Sequence, residues 1–276
     1  MAKFCLVDVF GTTRFSGNPL PVLFDADALS DAEMQRNTRW FGFSETAFLV
    51  APTASGADYR VRIFTLEREL PFAGRPTLGV CHAWRSVNEE QAGETIVQQC
   101  GAGLIEIRAQ GQLAFAAPPL IRSGMVEETE IAAFAAFLGI ARETIVDSQW
   151  VDNGPGWVAV LLASAEAVLA IDPPATAPRR FDLGVVGPHS SGEAAYEVRA
   201  FFSDHRGAVI EDPITGSLNA SLAQWLTSIG RFTAPYVARQ GTALGRDGRV
   251  TVEQDEAGRI WIGGQTLTIA SGTVES

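Results

Sequence analysis

Short apolar runs separated by Gly and Pro recur along the whole chain, at lengths that suit strands. They are Phe4–Phe10, Arg60–Phe64, Gly103–Arg108, Trp157–Leu162, Glu197–Phe202, Arg249–Glu253, Ile260–Ile262 and Gln265–Ala270. Four other stretches space their apolar positions as a helix does. One follows Ser30, with Glu33 three residues on, as in a capping box. A second follows Pro76 and covers Leu78 to Val87; a third follows Gly216 and covers Leu218 to Ser228. A fourth, Glu128 to Leu138, reads as peripheral. Leu218 to Leu226 is apolar on nearly every side, which suits a helix enclosed by a sheet.

The pattern repeats. Tyr59-Arg-Val-Arg-Ile-Phe64 is echoed 137 residues later by Tyr196-Glu-Val-Arg-Ala-Phe201. A turn and an apolar helix follow each copy: Ala73-Gly-Arg-Pro-Thr77 in the first, Asp212-Pro-Ile-Thr-Gly-Ser217 in the second. Downstream, Gln99-Cys-Gly-Ala-Gly103 is echoed by Gln240-Gly-Thr-Ala-Leu-Gly245. Three matches in one order predict an α+β fold of two pseudo-repeated halves. Each half is expected to be a curved, mostly antiparallel sheet or barrel around a central apolar helix. The stiff Ala116-Ala-Pro-Pro119 marks the boundary, so the halves are expected at 1–118, joined by a returning strand at 265–276, and at 119–264.

Charge and composition then narrow the function. The formal net charge is −11 and no arginine run exceeds Arg179-Arg180, which argues against a nucleic-acid partner. The most apolar stretch, Val158 to Ile171, carries Glu166 and is too short to span a bilayer, so no membrane partner is expected. Lys3 is the only lysine. A pyridoxal-phosphate enzyme needs a lysine for its Schiff base and a P-loop needs one on its phosphates; the start of a first strand suits neither. Cys5, Cys81 and Cys100 are few and lack metal-ligand spacing, as in a reducing compartment, and the N-terminus reads as a strand. A cytoplasmic location is expected. His82, His189 and His205 share no metal spacing, although His205 precedes Glu211 and can approach a site there. With no dinucleotide fingerprint and no nucleophile elbow, no metal and no cofactor are expected.

Chemistry concentrates at the two helix starts. A helix N-terminus offers unpaired N–H groups and partial positive charge, a site for a carboxylate without any cationic side chain. Gly74 and Gly216 open the two turns, and Ser217 adds a hydroxyl. Asp212 or Ser217 can equally serve as a cap of the third helix, and the two roles do not exclude each other.

Several segments together resemble the phenazine-biosynthesis PhzF-like family. They are Phe15-Ser-Gly-Asn-Pro-Leu20, Phe43-Ser-Glu-Thr-Ala-Phe48, Glu69-Leu-Pro-Phe-Ala-Gly74, Pro76-Thr-Leu-Gly79 and Glu211-Asp-Pro-Ile-Thr-Gly-Ser217. The resemblance covers nearly the whole chain and implies a diaminopimelate-epimerase-like fold, with a homodimer as the favoured assembly. It also implies a cofactor-independent isomerase that binds a small carboxylated metabolite in a cleft between the halves. In that reading Glu45 removes and returns a substrate proton, Asp212 lies near the reacting centre, and Ser217 grips the substrate carboxylate with the adjacent amides. Lying between Phe43 and Phe48 with little charge nearby, Glu45 is expected to have a raised pKa. The family usually carries Gly-His-Pro-Thr at the first turn, whereas this chain has Gly74-Arg75-Pro76-Thr77. Arginine cannot relay a proton, so either Glu45 works alone or Asp212 takes over some of the proton traffic; alternatively Arg75 clamps a second substrate carboxylate or other anion, or it points to solvent. Epimerases of this fold use two cysteines; Ala73 and Pro213 stand near those positions here, which leaves carboxylate chemistry. A non-catalytic binder of acidic metabolites, and a hydrolase or dehydratase in the same cleft, stay open as alternatives.

Overall fold

Strand β1 (Ala2–Val9) runs antiparallel to β2 (Asn18–Leu23), and β2 runs parallel to β3 (Glu45–Val50). Helix α1 (Asp31–Phe41) connects them, started by the Ser30–Glu33 capping box and stopped by Gly42 at φ 74°. β3 pairs antiparallel with β4 (Tyr59–Thr65). β4 takes β5 (Glu69–Leu70) antiparallel at one end and β6 (Thr95–Cys100) parallel at the other, with α2 (Gly74–Val87) in the crossover. β7 (Gly103–Arg108) and β8 (Ala114–Ala116) extend the sheet.

Next, β9 (Arg122–Gly124) pairs with β10 (Ile145–Asp152), and α3 (Glu128–Leu138) joins them. β10 pairs antiparallel with β11 (Val158–Leu162), which runs parallel to β12 (Asp182–Pro188) across α4 (Ala165–Leu169). β12 pairs with β13 (Ala194–Ser203). β13 takes β14 (Val209–Asp212) antiparallel at one end and β15 (Tyr236–Gln240) parallel at the other, with α5 (Gly216–Ser228) in the crossover. β16 (Gly248–Gln254) follows antiparallel. The chain then returns: β17 (Ile260–Gly263) pairs with β8 and β18 (Thr266–Val274) with β1.

This structure, a computed structural model, describes residues 2–90, 93–204 and 206–274. It divides into two compact units, residues 1–116 with 261–276 and residues 117–260. The sequence reading placed 261–264 in the second half; the pairing of Trp261, Ile262 and Gly263 with β8 puts them in the first.

The repeat has a structural meaning inside each unit. β4 and β13 each carry an antiparallel partner at one end and a parallel partner at the other, with the apolar helix between. Tyr59 and Tyr196 mark the parallel end, opposite Gln98 and Ala238. α2 packs against β1, β2, β3, β4, β6, β8 and β18, so the first sheet wraps around it. Gly79 permits the approach, since a Cβ there would stand 2.6 Å from Leu20 Cδ2. Leu78, Val80, Cys81 and Ala83 are fully buried, each larger side chain contributing roughly 1.5–3 kcal/mol. In the second unit α5 lies against β10 and β16, and Gly184 of β12 leaves room for Leu218. The helix is enclosed throughout its first turns, with Gly216 through Ala223 all buried. A separate core gathers α3, α4 and the strands β10 to β13 around Phe134, Leu138, Val160 and Phe201.

Candidate active site

In the first unit Gly42 ends α1 in the left-handed region, and the chain enters β3 at Glu45. The rest of the strand entry is buried through Thr46, Ala47 and Phe48, which leaves Glu45 as the half-buried residue at its mouth. Gly74 and Arg75 form the first turn of α2. Because side chains on a helix lean toward its N-terminus, Arg75 reaches back past the helix start toward β2 and β3. Its guanidinium Nη2 donates to Glu45 Oε2 at 2.8 Å and to Ser44 Oγ at 2.9 Å. Nη1 donates to Asn18 Oδ1 at the start of β2. The Arg75 side chain is 4% exposed and that of Glu45 18%.

Two expectations are corrected here. Glu45 does not stand in a region poor in charge, because a buried guanidinium contacts its carboxylate. Nor does Arg75 point to solvent; three protein oxygens hold it. The sequence could not show this, since Asn18, Ser44 and Arg75 are far apart along the chain.

The α2 start is otherwise bare. Its N-cap Ala73 offers no side chain for capping, Pro76 has no N–H, and the Thr77 amide bonds the Ala73 carbonyl at 3.2 Å. The first-turn amides that the helix itself does not use are those of Gly74 and Arg75.

In the second unit Asp212 ends β14 and Gly216 and Ser217 open α5. Asp212 Oδ2 accepts the Thr215 hydroxyl at 2.6 Å. Thr215 is the N-cap, and its side chain makes no capping bond. Instead Gln240 on β15 braces the turn: its Oε1 accepts from the Thr215 amide at 3.0 Å and from Asn219 Nδ2 at 2.8 Å. Ser217 is anchored twice, its carbonyl by Asn153 Nδ2 at 2.9 Å and its Oγ by the Trp157 indole at 3.2 Å. With the indole donating, Ser217's own hydroxyl hydrogen finds no acceptor among the described residues. Next to Asp212, Glu211 forms a two-pronged pair with buried Arg199 at 2.9 and 2.7 Å. The same arginine bonds the Ile171 carbonyl at 2.6 Å, so β14 is fixed from behind.

Glu45, Gly74 and Arg75 are thus brought together in one unit, and Asp212, Gly216 and Ser217 in the other. His205 lies outside the described residues. His189 pairs with the buried carboxylate of Glu197 at 3.1 Å, and no group of three His, Cys, Asp or Glu side chains suits a metal ion among the described residues. Burial raises the thiols, Cys5 to about 11 and Cys81 to about 12, so neither is a thiolate near neutral pH.

The sequence matches the phenazine biosynthesis-like protein family (PhzC-PhzF) over residues 7–272. The chain belongs to this family. Antisense-enhancing sequence 1 of Schizosaccharomyces pombe is 33% identical over 291 residues, covering 98% of this chain and 97% of that protein. Trans-2,3-dihydro-3-hydroxyanthranilate isomerase of Pseudomonas fluorescens is 30% identical over 284 residues and 99% of both. The PhzF-family phenazine biosynthesis protein of Enterococcus faecalis has a solved structure with TM-score 0.76 and 26% identity, covering 100% of this chain and 99% of that one. A hydroxyproline epimerase of Agrobacterium vitis shares the fold alone, at TM-score 0.62 and 14% identity over 98% of this chain and 91% of its own. The expected epimerase-like α+β fold is therefore the observed one.

Within this family frame, Asn18, Ser44, Asn153, Trp157 and Thr215 are the polar residues that sequence reasoning passed over. Asn18 and Ser44 lie inside family segments already singled out, so their signal was present and only their partner was hidden. Asn153 and Trp157 lie in Asn153-Gly-Pro-Gly-Trp157, a loop with no mark of its contact with Ser217.

Proposed function

We propose that this protein is an isomerase that moves a proton within a small, carboxylated and unsaturated metabolite. Glu45 takes the proton from one carbon, the double bond shifts, and Glu45 returns the proton to another carbon. The observation that carries this reading is the Arg75–Glu45 pair at the mouth of β3. A guanidinium fixed by Asn18 and Ser44 holds the carboxylate in one place, as a base that must reach a substrate carbon requires. Arg75 acts on Glu45 here and not as a clamp for the substrate. The substrate carboxylate falls instead to the Gly216 and Ser217 amides and the Ser217 hydroxyl, whose hydrogen is directed away from the indole. Asp212, tied to Thr215, holds that turn in shape and supports the reacting centre. The named isomerase among the relatives supports the reaction class. The substrate is expected to differ from that relative's, since Arg75 cannot relay a proton as the family's usual histidine can.

The test is exchange in deuterated water across a panel of small unsaturated acids. Glu45→Gln should keep binding, seen as thermal stabilisation by the acid, and lose deuterium incorporation. Undiminished exchange in that variant removes Glu45 from the mechanism. Stabilisation of the unaltered protein without exchange by any acid would assign a binder in place of an enzyme.

A further inference from the structure

At the other end of α2 from Arg75, a pocket of about 450 Å³ opens in the first unit. Its walls are His82 and Arg85 of α2, residues 111–113 of the turn between β7 and β8, and residues 264–266 where the chain passes from β17 into β18. Ten residues of helix place Arg85 about 15 Å along the axis from Arg75, so this is a separate location from the Glu45 site. We infer that the pocket is a second binding site, for a small carboxylate or phosphate anion gripped by Arg85.

The first reason is the state of Arg85. The residue is half-buried and its guanidinium always charged, yet among the described residues no ion-pair or hydrogen-bond partner meets that side chain. Several other partly or fully buried arginines are paired with acids. Arg62, Arg75, Arg199 and Arg249 each meet a carboxylate within 4.0 Å. The carbonyl end of α2 draws a cation to this region. Arg85 gives it no hydrogen bond, however; Asn88 Nδ2 takes the Trp84 carbonyl at 2.9 Å. The five N–H donors of Arg85 stay available for a two-pronged bond to an anion.

The second reason is the rest of the wall. His82 is held on both sides, Nδ1 3.0 Å from Thr266 Oγ1 and Nε2 2.9 Å from Thr268 Oγ1. Burial, then the nearby Arg85 charge, lower its pKa, so the ring is neutral near pH 7. Among the described residues Arg85 is then the one charge in the lining, and Gln112 and Gln265 add amide side chains that suit a polar body. The mouth is braced by backbone bonds, Gly264 N–H to the Leu113 carbonyl at 3.2 Å and Phe10 N–H to the Gln265 carbonyl at 2.7 Å. The volume falls within the roughly 300–1,000 Å³ of small-molecule sites.

The experiment follows backbone amide resonances of the full chain during titration with succinate, inorganic phosphate and uncharged succinamide. Shifts at residues 111–113 and 264–266 that saturate with succinate or phosphate, with a Kd of roughly millimolar, are expected. Which of the two binds tighter separates a carboxylate from a phosphate ligand. Arg85→Gln should weaken binding at least tenfold while the remaining resonances stay in place, and Arg85→Lys should retain part of it. No saturable shift at these residues, equal shifts with succinamide, or unchanged binding by Arg85→Gln would each overturn the inference. So would shifts confined to the first turns of α2 and α5.

Discussion

At the start of α2 the chain sets a buried arginine against a glutamate; at the start of α5 it sets a serine, an aspartate and a threonine. The backbone device is the same in both places. A strand carrying a parallel and an antiparallel neighbour leads through a turn into a helix enclosed by its own sheet. In each case a buried glutamine from the next strand holds a threonine near the helix start, Gln98 to Thr77 at 3.0 Å and Gln240 to Thr215 at 3.1 Å. α2 carries Arg75, Cys81, His82 and Arg85, whereas α5 carries no titratable residue at all. One scaffold, used twice, therefore carries an arginine–glutamate pair at one helix start and a serine–aspartate–threonine set at the other. The difference lies in side chains alone.

Ways to break this contrast fall in order of size. Largest is the loss of exchange expected for Glu45→Gln, on the order of 10²- to 10⁴-fold, the usual worth of a positioned base. Arg75→Gln comes next, because it removes a buried partner from Glu45 and leaves Asn18 and Ser44 facing a shorter group. A loss of about 3 kcal/mol in denaturant unfolding is expected, and Arg75→Lys should recover part of it. A much smaller loss would mean that the pair contributes little to the fold of the first unit.

The two glutamine braces allow a direct comparison. Gln240 satisfies a backbone amide, the Asn219 amide group, the Asp212 carbonyl and the Thr215 hydroxyl. Gln98 meets the Tyr59 and Thr77 hydroxyls and the Cys100 thiol, with no backbone group among them. Gln240→Ala should cost about 3 kcal/mol and Gln98→Ala about 1–2, since stranded buried donors dominate such losses. Equal costs in urea titrations would show that the second turn is no more dependent on its brace than the first.

Ser217→Ala should weaken the affinity for a carboxylated ligand about tenfold and leave Glu45 able to exchange the proton of whatever acid is bound. Calorimetric binding beside exchange at saturating ligand separates those two effects. The smallest effect concerns pH. His82 has a folded-state pKa below its ordinary value of 6.5, from burial and then Arg85. Unfolding therefore takes up a proton there, so its contribution is complete above pH 6.5 and is lost as pH falls below it. Thermal midpoints from pH 7.5 to 5 should fall more steeply in the unaltered protein than in His82→Gln. No such difference is expected from any substitution within α5, which has nothing to titrate.

Much of this was legible in the residue order. Period and punctuation marked α3 at its observed bounds, and the Ser30–Glu33 pair marked the start of α1. Both are local effects, decided within a few residues of chain. β2, β3, β6, β10, β12 and β15 were missed, being short, interrupted or without alternation, and they exist because neighbouring strands pair with them. The echo placed Gln99 opposite Gln240, yet Gln98 is the side chain that turns inward, because alternate strand residues face opposite sides. A one-residue offset of that kind is invisible until the register is set.

The sequence by itself determined that the chain has two similar halves and that each carries an enclosed helix. Patterns of apolar spacing and local capping suffice for that. Tertiary structure alone decided what the polar residues at the helix starts face. Glu45 met a guanidinium and not an apolar wall, and Arg75 turned inward, because contacts between residues 18, 44, 45 and 75 depend on strand order and on where a helix enters its sheet. Charge neighbourhoods are properties of space, and spacing along the chain carries them only when the partners are near in sequence.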